Sequence, residues 1–208
     1  MTVYVLKLGG SLMACARDLM RALSALAEDG YSFLVVPGGG PMAGLVRDLF
    51  SRYQISQEAA HWMAILAMEQ YGYFLADGTG ALLTREMRLP RSGVEILLPY
   101  QVLREDDFGL MHSWDYTSDS VAALAALRLS APLIKATNVD GVILEGKVVE
   151  EVSASSLLGK ESCIDQGTLR LLLGRLKGRR IWVLNGSDPH HFISALKRGK
   201  GGTIIKGE

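Results

Sequence analysis

The chain has 208 residues, 49% hydrophobic and 21% charged, with 22 basic and 22 acidic side chains and a formal net charge of zero. That length and composition suit one well-buried soluble domain over residues 1–208, and the balanced charge excludes the basic surplus of a nucleic-acid binder. The two cysteines, Cys15 and Cys163, have no CxxC spacing, which argues against a disulfide framework or structural zinc site and makes a reducing cytoplasm the expected setting.

In chain order the residues alternate between strand and helix patterns. Residues 3–8 read as a strand rather than a basic leader, so no signal peptide is expected. A helix follows from Ser11, a good N-cap, with Leu12, Cys15, Leu19, Leu23 and Leu26 at helical spacing and Gly30 as its stop. Residues 31–36 form the next strand, and a helix from Pro41 is predicted to put Met42, Leu45, Val46 and Leu49 on one face. The helix over 56–76 is apolar on more than one side, as expected of a core element or a subunit interface. Its most apolar stretch, residues 61–76, is interrupted by Glu69, Gln70 and Gly72 and is too short to span a bilayer. Residues 94–98 read as a strand closed by Pro99, 117–129 as a helix, 133–136 as a buried strand and 142–149 as a hairpin turning at Glu145-Gly146. A helix over 166–177, a strand over 181–184, a helix over 189–198 and a strand over 203–206 complete the order. Such alternation implies a mostly parallel sheet between helical layers, with ligands at the carboxyl ends of the strands.

Two glycine-rich turns lie at that edge: Lys7-Leu8-Gly9-Gly10-Ser11 and Pro37-Gly38-Gly39-Gly40-Pro41. A strand–glycine turn–helix unit exposes backbone N–H groups that attract anions, and glycine lets a ligand approach without a Cβ in the way. Lys7 adds a mobile cation to the first turn. Together they point to a protein that grips a nucleoside triphosphate or moves a phosphoryl group. The GxxxxGK[ST] pattern is absent. Gly38 to Ala43 formally satisfies the GxGxxA dinucleotide fingerprint, but the acid it needs, Glu58, falls in a helix rather than at a strand end, and the first turn stays unexplained. Lys135 sits between Ile134 and Ala136 in a buried-looking strand, where a lysine needs a partner or a ligand.

These turns, with Thr117-Ser118-Asp119-Ser120, the run from Lys135 through Thr137, Asp140 and Gly141 to Val142, and the terminal Gly202-Thr203-Ile204-Ile205, resemble the amino acid kinase family in content and order. Residues 61–72 and 113–120 are most similar to its small branch serving methanofuran biosynthesis, which converts an aminomethylfuranmethanol phosphate to the diphosphate. The resemblance implies a three-layer αβα sandwich around a mainly parallel sheet of about eight strands. It implies ATP and Mg²⁺ as cofactors and a small phosphomonoester substrate, with another phosphate or carboxylate acceptor, or a non-catalytic nucleotide-binding or storage role on the same fold, as the alternatives. The apolar helix over 59–76 makes a homo-oligomer the expectation, and no nucleic-acid or membrane partner is expected.

It also implies roles for residues. Lys7 would bridge the β- and γ-phosphates, Lys135 would contact the transferring group or the acceptor-side phosphate, and Asp119 would hold the lysines in register. Gly9, Gly10, Gly39 and Gly40 would supply N–H donors, and Gly38, Gly39 and Gly40 would line the acceptor side. Ser11 joins N-capping to phosphate contact. Thr137, Asp140 and Gly141 match the loop near adenine and ribose. Mg²⁺ is expected on ATP oxygens and water, with no protein-only metal site.

Plainer readings compete. Asp119 alone could be a first-turn acid stabilising a helix dipole, and Asp140-Gly141 is a common turn signal. His61 is expected as a partly buried structural histidine that could line the acceptor pocket. Trp62 and Trp114 are expected as core or pocket walls. Arg47 could reach an acceptor phosphate or remain in solvent. The basic run from Arg170 to Arg180 reads as a solvent face, and His190-His191 has no spaced metal partner.

Overall fold

The computed structural model describes residues 2–208. It opens with β1 (Thr2–Leu8), a single 3-10 turn over Gly10–Leu12 and α1 (Ala16–Ala25). The 3-10 turn corrects the expected helix start. Ser11 is exposed inside it and caps nothing, and the α-helix begins only at Ala16, behind Cys15. At its other end α1 stops at Ala25, and a run of turns reaches Gly30, whose φ of 80° needs glycine. Next come β2 (Tyr31–Pro37), α2 (Gly40–Tyr53) and α3 (Gln57–Ala76). The Ser56 hydroxyl accepts the Ala59 N–H at 3.1 Å and caps α3 as its sequence predicts. Leu45 departs from the face expected for α2: it is exposed, and Ala43 and Val46 are the buried positions.

β3 (Leu82–Thr84) and β4 (Gly93–Leu97) precede α4 (Pro99–Glu105). Pro99, expected only to close a strand, is the first residue of this helix, where its missing N–H is harmless. The chain continues through α5 (Ser118–Arg128), β5 (Leu133–Thr137), the hairpin of β6 (Ile143–Leu144) and β7 (Lys147–Val148), and then β8 (Glu151–Ser153) and α6 (Ala154–Leu157). It ends with α7 (Gln166–Leu173), β9 (Arg180–Asn185), α8 (Pro189–Arg198) and β10 (Thr203–Lys206).

Eight strands form one sheet in the order β3-β4-β2-β1-β5-β9-β10-β8, and every neighbouring pair is parallel except β9 with β10. Period-two alternation divides each central strand between two cores. Leu6, Leu8, Phe33, Val35, Ile134 and Ala136 pack against α1, α8 and the second half of α3, including Tyr71 and Leu75. Val5, Leu34, Val36, Leu133, Ile181 and Val183 pack against α5 and α7, with Ile65 and Met68 of α3. α3 serves both cores, which is why it is apolar on more than one side. The result is the expected helix–sheet–helix sandwich. β1 sits between β2 and β5, so the chain leaves it first to one side and later to the other; that is the switch point where α/β sheets bind ligands.

Candidate active site

Alternation along β1 and β5 positions the two lysines. Lys7 and Lys135 are register partners on adjacent parallel strands, and both point to the α5 side of the sheet. There the first turn of α5 carries Asp119. Asp119 Oδ1 lies 2.9 Å from Lys7 Nζ, and its Oδ2 accepts a hydrogen bond from Lys135 Nζ. Lys135 Nζ also donates to the Cys163 carbonyl. The three side chains are 5–8% exposed, so the cluster is almost free of water. Burial pushes the Lys7 ammonium below its ordinary value, helped by the like charge of Lys135 and opposed by Asp119. Burial would raise the Asp119 carboxyl, but the two lysines outweigh it and hold the group well below the usual carboxylate range. The arrangement is two cations organised by one anion at the carboxyl edge of the sheet.

The glycine turns meet beside Lys7, whose Nζ would lie 3.6 Å from a Cβ on Gly9. A Cβ on Gly10 would fall 2.5 Å from the Gly40 Cα, and one on Gly38 would fall 3.0 Å from the Gly10 nitrogen. Not all of their N–H groups are free. Gly9 donates to the Ala136 carbonyl at 3.1 Å and Gly38 to the Leu8 carbonyl at 2.8 Å, so these two glycines shape the turns rather than present donors. This revises the donor set expected from sequence. The N–H groups of Gly10, Ser11, Gly39 and Gly40 make no hydrogen bond among the described residues and remain available to an anion.

A cavity of about 540 Å³ opens from the turns toward α3 and the segment preceding α5. Lys7, Gly10, Ser11 and Gly38 through Gly40 form one end, and Ala60, His61, Ala64 and Trp114 line the rest with their neighbours. Lys7 and Arg47 are the only charged side chains on its wall among the described residues. Arg47 lies over the Trp114 ring at 5.0 Å, at the rim of the cavity, while its side chain stays exposed. Trp114 is thus a pocket wall, whereas Trp62 packs against the core. Such a cavity suits a small anionic molecule with an apolar body.

Thr137 is the last residue of β5, Asp140 and Gly141 follow it, and none of the three lines that cavity. The Thr137 carbonyl accepts the Gly186 N–H at 2.7 Å, and Asp140 Oδ1 accepts Asn185 Nδ2 at 2.7 Å. Gly141 has a packing reason to be glycine, since a Cβ there would lie 2.4 Å from Thr203 Oγ1. His190 and His191 are exposed, and His191 pairs with the Asp188 cap of α8. Among the described residues no three or more His, Cys, Asp or Glu side chains gather as a metal site, and no helix is long and apolar enough to cross a membrane.

Asp165 is a site residue that sequence reasoning misses. Its carboxylate accepts from Thr117 N at 2.9 Å, Thr117 Oγ1 at 2.7 Å, Ser120 Oγ at 2.9 Å and Thr168 N at 2.6 Å, while its own N–H donates to Asp119 Oδ2 at 3.2 Å. It caps α7 and ties the start of α5 to it, so the placement of Asp119 depends on it. The only signal in the sequence is an Asp before a short helix, which looks like any N-cap.

A family model described as the amino acid kinase family matches residues 2–174. The chain is 32% identical over 207 residues to the (5-(aminomethyl)furan-3-yl)methyl phosphate kinase of Methanocaldococcus jannaschii, covering 94% of this chain and 93% of that one. It is 27% identical over 230 residues to the uridylate kinase of Haloquadratum walsbyi, covering 94% and 89%. Among solved structures, the uridylate kinase from Archaeoglobus fulgidus superposes with a TM-score of 0.70 at 21% identity over 99% of this chain and 100% of that one. The UMP kinase from Bacillus anthracis superposes with a TM-score of 0.68 at 15% identity over 100% and 96%. At those identities the two structures speak for the fold.

Proposed function

The chain belongs to the amino acid kinase family and is a phosphotransferase, and from that premise we propose that it uses ATP to convert the monophosphate of 5-(aminomethyl)-3-furanmethanol to its diphosphate. The observation that carries the acceptor is the near full-length likeness to the furan phosphate kinase. The cavity agrees in kind: its charged wall is cationic, its body is largely apolar, and Trp114 offers an aromatic side. A uridylate acceptor is the second reading, favoured by the likeness to uridylate kinases.

The residues support a mechanism of positioning and charge. A phosphate monoester has a second pKa of about 6 and is a dianion near neutrality, so no general base is needed. An acceptor oxygen attacks the γ-phosphorus, the bond to the β–γ bridging oxygen breaks, and ADP leaves with that electron pair. Lys7 stabilises the β- and γ-phosphates and Lys135 the transferring group, while Asp119 holds both ammonium groups in place. The free N–H groups of Gly10, Ser11, Gly39 and Gly40 receive the equatorial oxygens; Gly9 and Gly38 let the turns close. Arg47 meets the acceptor phosphate from the far wall. Thr137, Asp140 and Gly141 form the nucleotide side. Mg²⁺ would be held mainly by triphosphate oxygens and water, since that ion takes few protein carboxylates. When bound, it neutralises phosphate charge.

The proposed enzyme is a cytoplasmic homo-oligomer; Leu66 and Tyr73 are exposed on α3 and offer an apolar strip for self-association, which light scattering decides. The activity test is ADP release with MgATP against the furan monophosphate, UMP, isopentenyl phosphate, acetylglutamate and aspartate. Turnover with the furan monophosphate alone supports the assignment. Preference for UMP selects the second reading, and silence with every acceptor overturns both.

A further inference from the structure

We propose that His61 and His112 are an acceptor-recognition pair: His61 exchanges a hydrogen bond with a polar substituent on the organic part of the acceptor, and His112 is the positioning residue that holds His61 ready. The inference rests on the phosphomonoester reading above and adds how the rest of that molecule is selected.

His61 lines the cavity and is 8% exposed, yet its Nε2 is buried with no hydrogen-bond partner. Orphaned buried polar atoms are rare in folded chains and call for a reason. Its cavity neighbours Ala60, Ala64 and Ile65 have no polar side-chain atoms to satisfy it, and Gln57, one turn earlier on the same lining, makes no hydrogen bond to it. A bound molecule carrying an amine or hydroxyl would supply the missing partner. A neutral imidazole has one donor and one acceptor nitrogen and serves either group.

His112 keeps that imidazole neutral and oriented. The two rings stack at 3.8 Å with planes 11° apart. Both His112 nitrogens face carboxylates: Nδ1 meets Glu58 Oε2, and Nε2 meets Asp107 Oδ2 at 3.0 Å. Two carboxylate partners favour the doubly protonated ring, which has an N–H for each. Partial burial disfavours that charge, but the carboxylates outweigh it and raise the His112 pKa. Burial, then the adjacent imidazolium, pushes His61 down to about 4 against the weaker pull of Glu58 and Asp107. Trp62 closes the set, edge-on to His112 at 5.3 Å, donating to Glu58 Oε1 at 2.6 Å and covered by Arg104 at 4.7 Å. The clamp also fixes the segment after α4, which carries Trp114 and Tyr116 into the cavity wall.

Steady-state kinetics and calorimetric binding are measured for the parent, H61F and H61Q. The acceptors are the aminomethylfuran monophosphate and the same ester without its aminomethyl group. H61F fills the space without a nitrogen; it should raise the amine acceptor's KM roughly 10–100-fold, with kcat and ATP KM within about threefold. It should also bind the two esters alike, where the parent prefers the amine, and H61Q, with an amide near the Nε2 position, should recover part of that preference. H61F with the parent's KM, or with the parent's preference for the amine, overturns the proposal. A parent inactive on all acceptors defeats the function reading instead. Calorimetry still decides the pair in that case: equal affinity of parent and H61F for the amine ester overturns it. Thermal melting identifies any variant that fails to fold, and imidazole NMR of the parent should then show His61 neutral and perturbed by the amine ester alone; a resonance indifferent to it overturns the proposal.

Discussion

Gly10 and Gly40 touch backbone to backbone: a methyl group on Gly10 would lie 2.5 Å from the Gly40 Cα and 2.7 Å from its nitrogen. Neither neighbour is a flexible side-chain tip, so the turns themselves must part to admit it. Gly10→Ala is therefore expected to cost about 1–3 kcal/mol of stability and, by moving the anion donors about 1 Å, roughly 100-fold in kcat. Gly44 is the contrast. It lies inside α2, and a methyl group there would meet nothing within 4 Å, so Gly44→Ala should stabilise the chain by about 0.5–1 kcal/mol. Denaturant melts and the ADP-release assay on both variants check this; equal behaviour of the two would refute the close-contact account.

Asp119→Asn keeps the size of the side chain and removes the charge that faces both lysines. The turns that cradle phosphate are untouched, so ATP affinity should change little while kcat falls roughly 100–1000-fold. An uncompensated buried cation pair also destabilises, by about 3–5 kcal/mol. Turnover and nucleotide titration on the same sample separate the two effects. Unchanged turnover removes Asp119 from the catalytic assignment.

The parts of this site that are legible in sequence are those whose chemistry is local. Lys7 before Gly-Gly-Ser, and Lys135 inside an apolar strand, announce themselves within five residues. The central strands and α8 are equally readable, because a short continuous apolar run and an Asp-Pro cap are local signals. β3 and β8 are not, being three residues long with Val152 as their one buried side chain. α4 is hidden because Pro99 stops a strand and starts a helix with the same residue. The histidine pair is held by a contact between His112 and Glu58, which are 54 residues apart, and no spacing rule on one element reveals it.

Asp165 is long-range in the same sense, reaching from the start of α7 to the start of α5. Asp165→Ala leaves Thr117, Ser120 and Thr168 donors without their acceptor and removes an N-cap. The expected loss is about 2–4 kcal/mol, or roughly 5–15 °C in Tm for a chain of this size. Because Asp119 loses its support, kcat should fall while acceptor and ATP KM hold. Asp165→Asn keeps the cap acceptor and should restore most of the Tm. A Tm equal to the parent's in the Ala variant would show that the helix ends are held by something else.

His112 and His61 give opposite pH signatures, and this fixes the sign of a stability measurement. His112 has a folded pKa above its ordinary 6.5, so its contribution is complete below that value and is lost as pH rises through the folded pKa. His61 has a folded pKa of about 4. Between that value and 6.5 the unfolded chain binds the extra proton, so stability falls as pH drops through this window. Other carboxylates add an acid limb of their own, so the informative quantity is the difference between variant and parent. Tm difference curves from pH 4 to pH 9 should show H61F relieving the acid limb and H112Q removing the alkaline one. H112Q should also soften the acid limb, because the imidazolium beside His61 is one cause of its low pKa. Flat difference curves for both variants would mean that the stacked rings do not titrate as a pair, and the charge assigned to His112 would go with them.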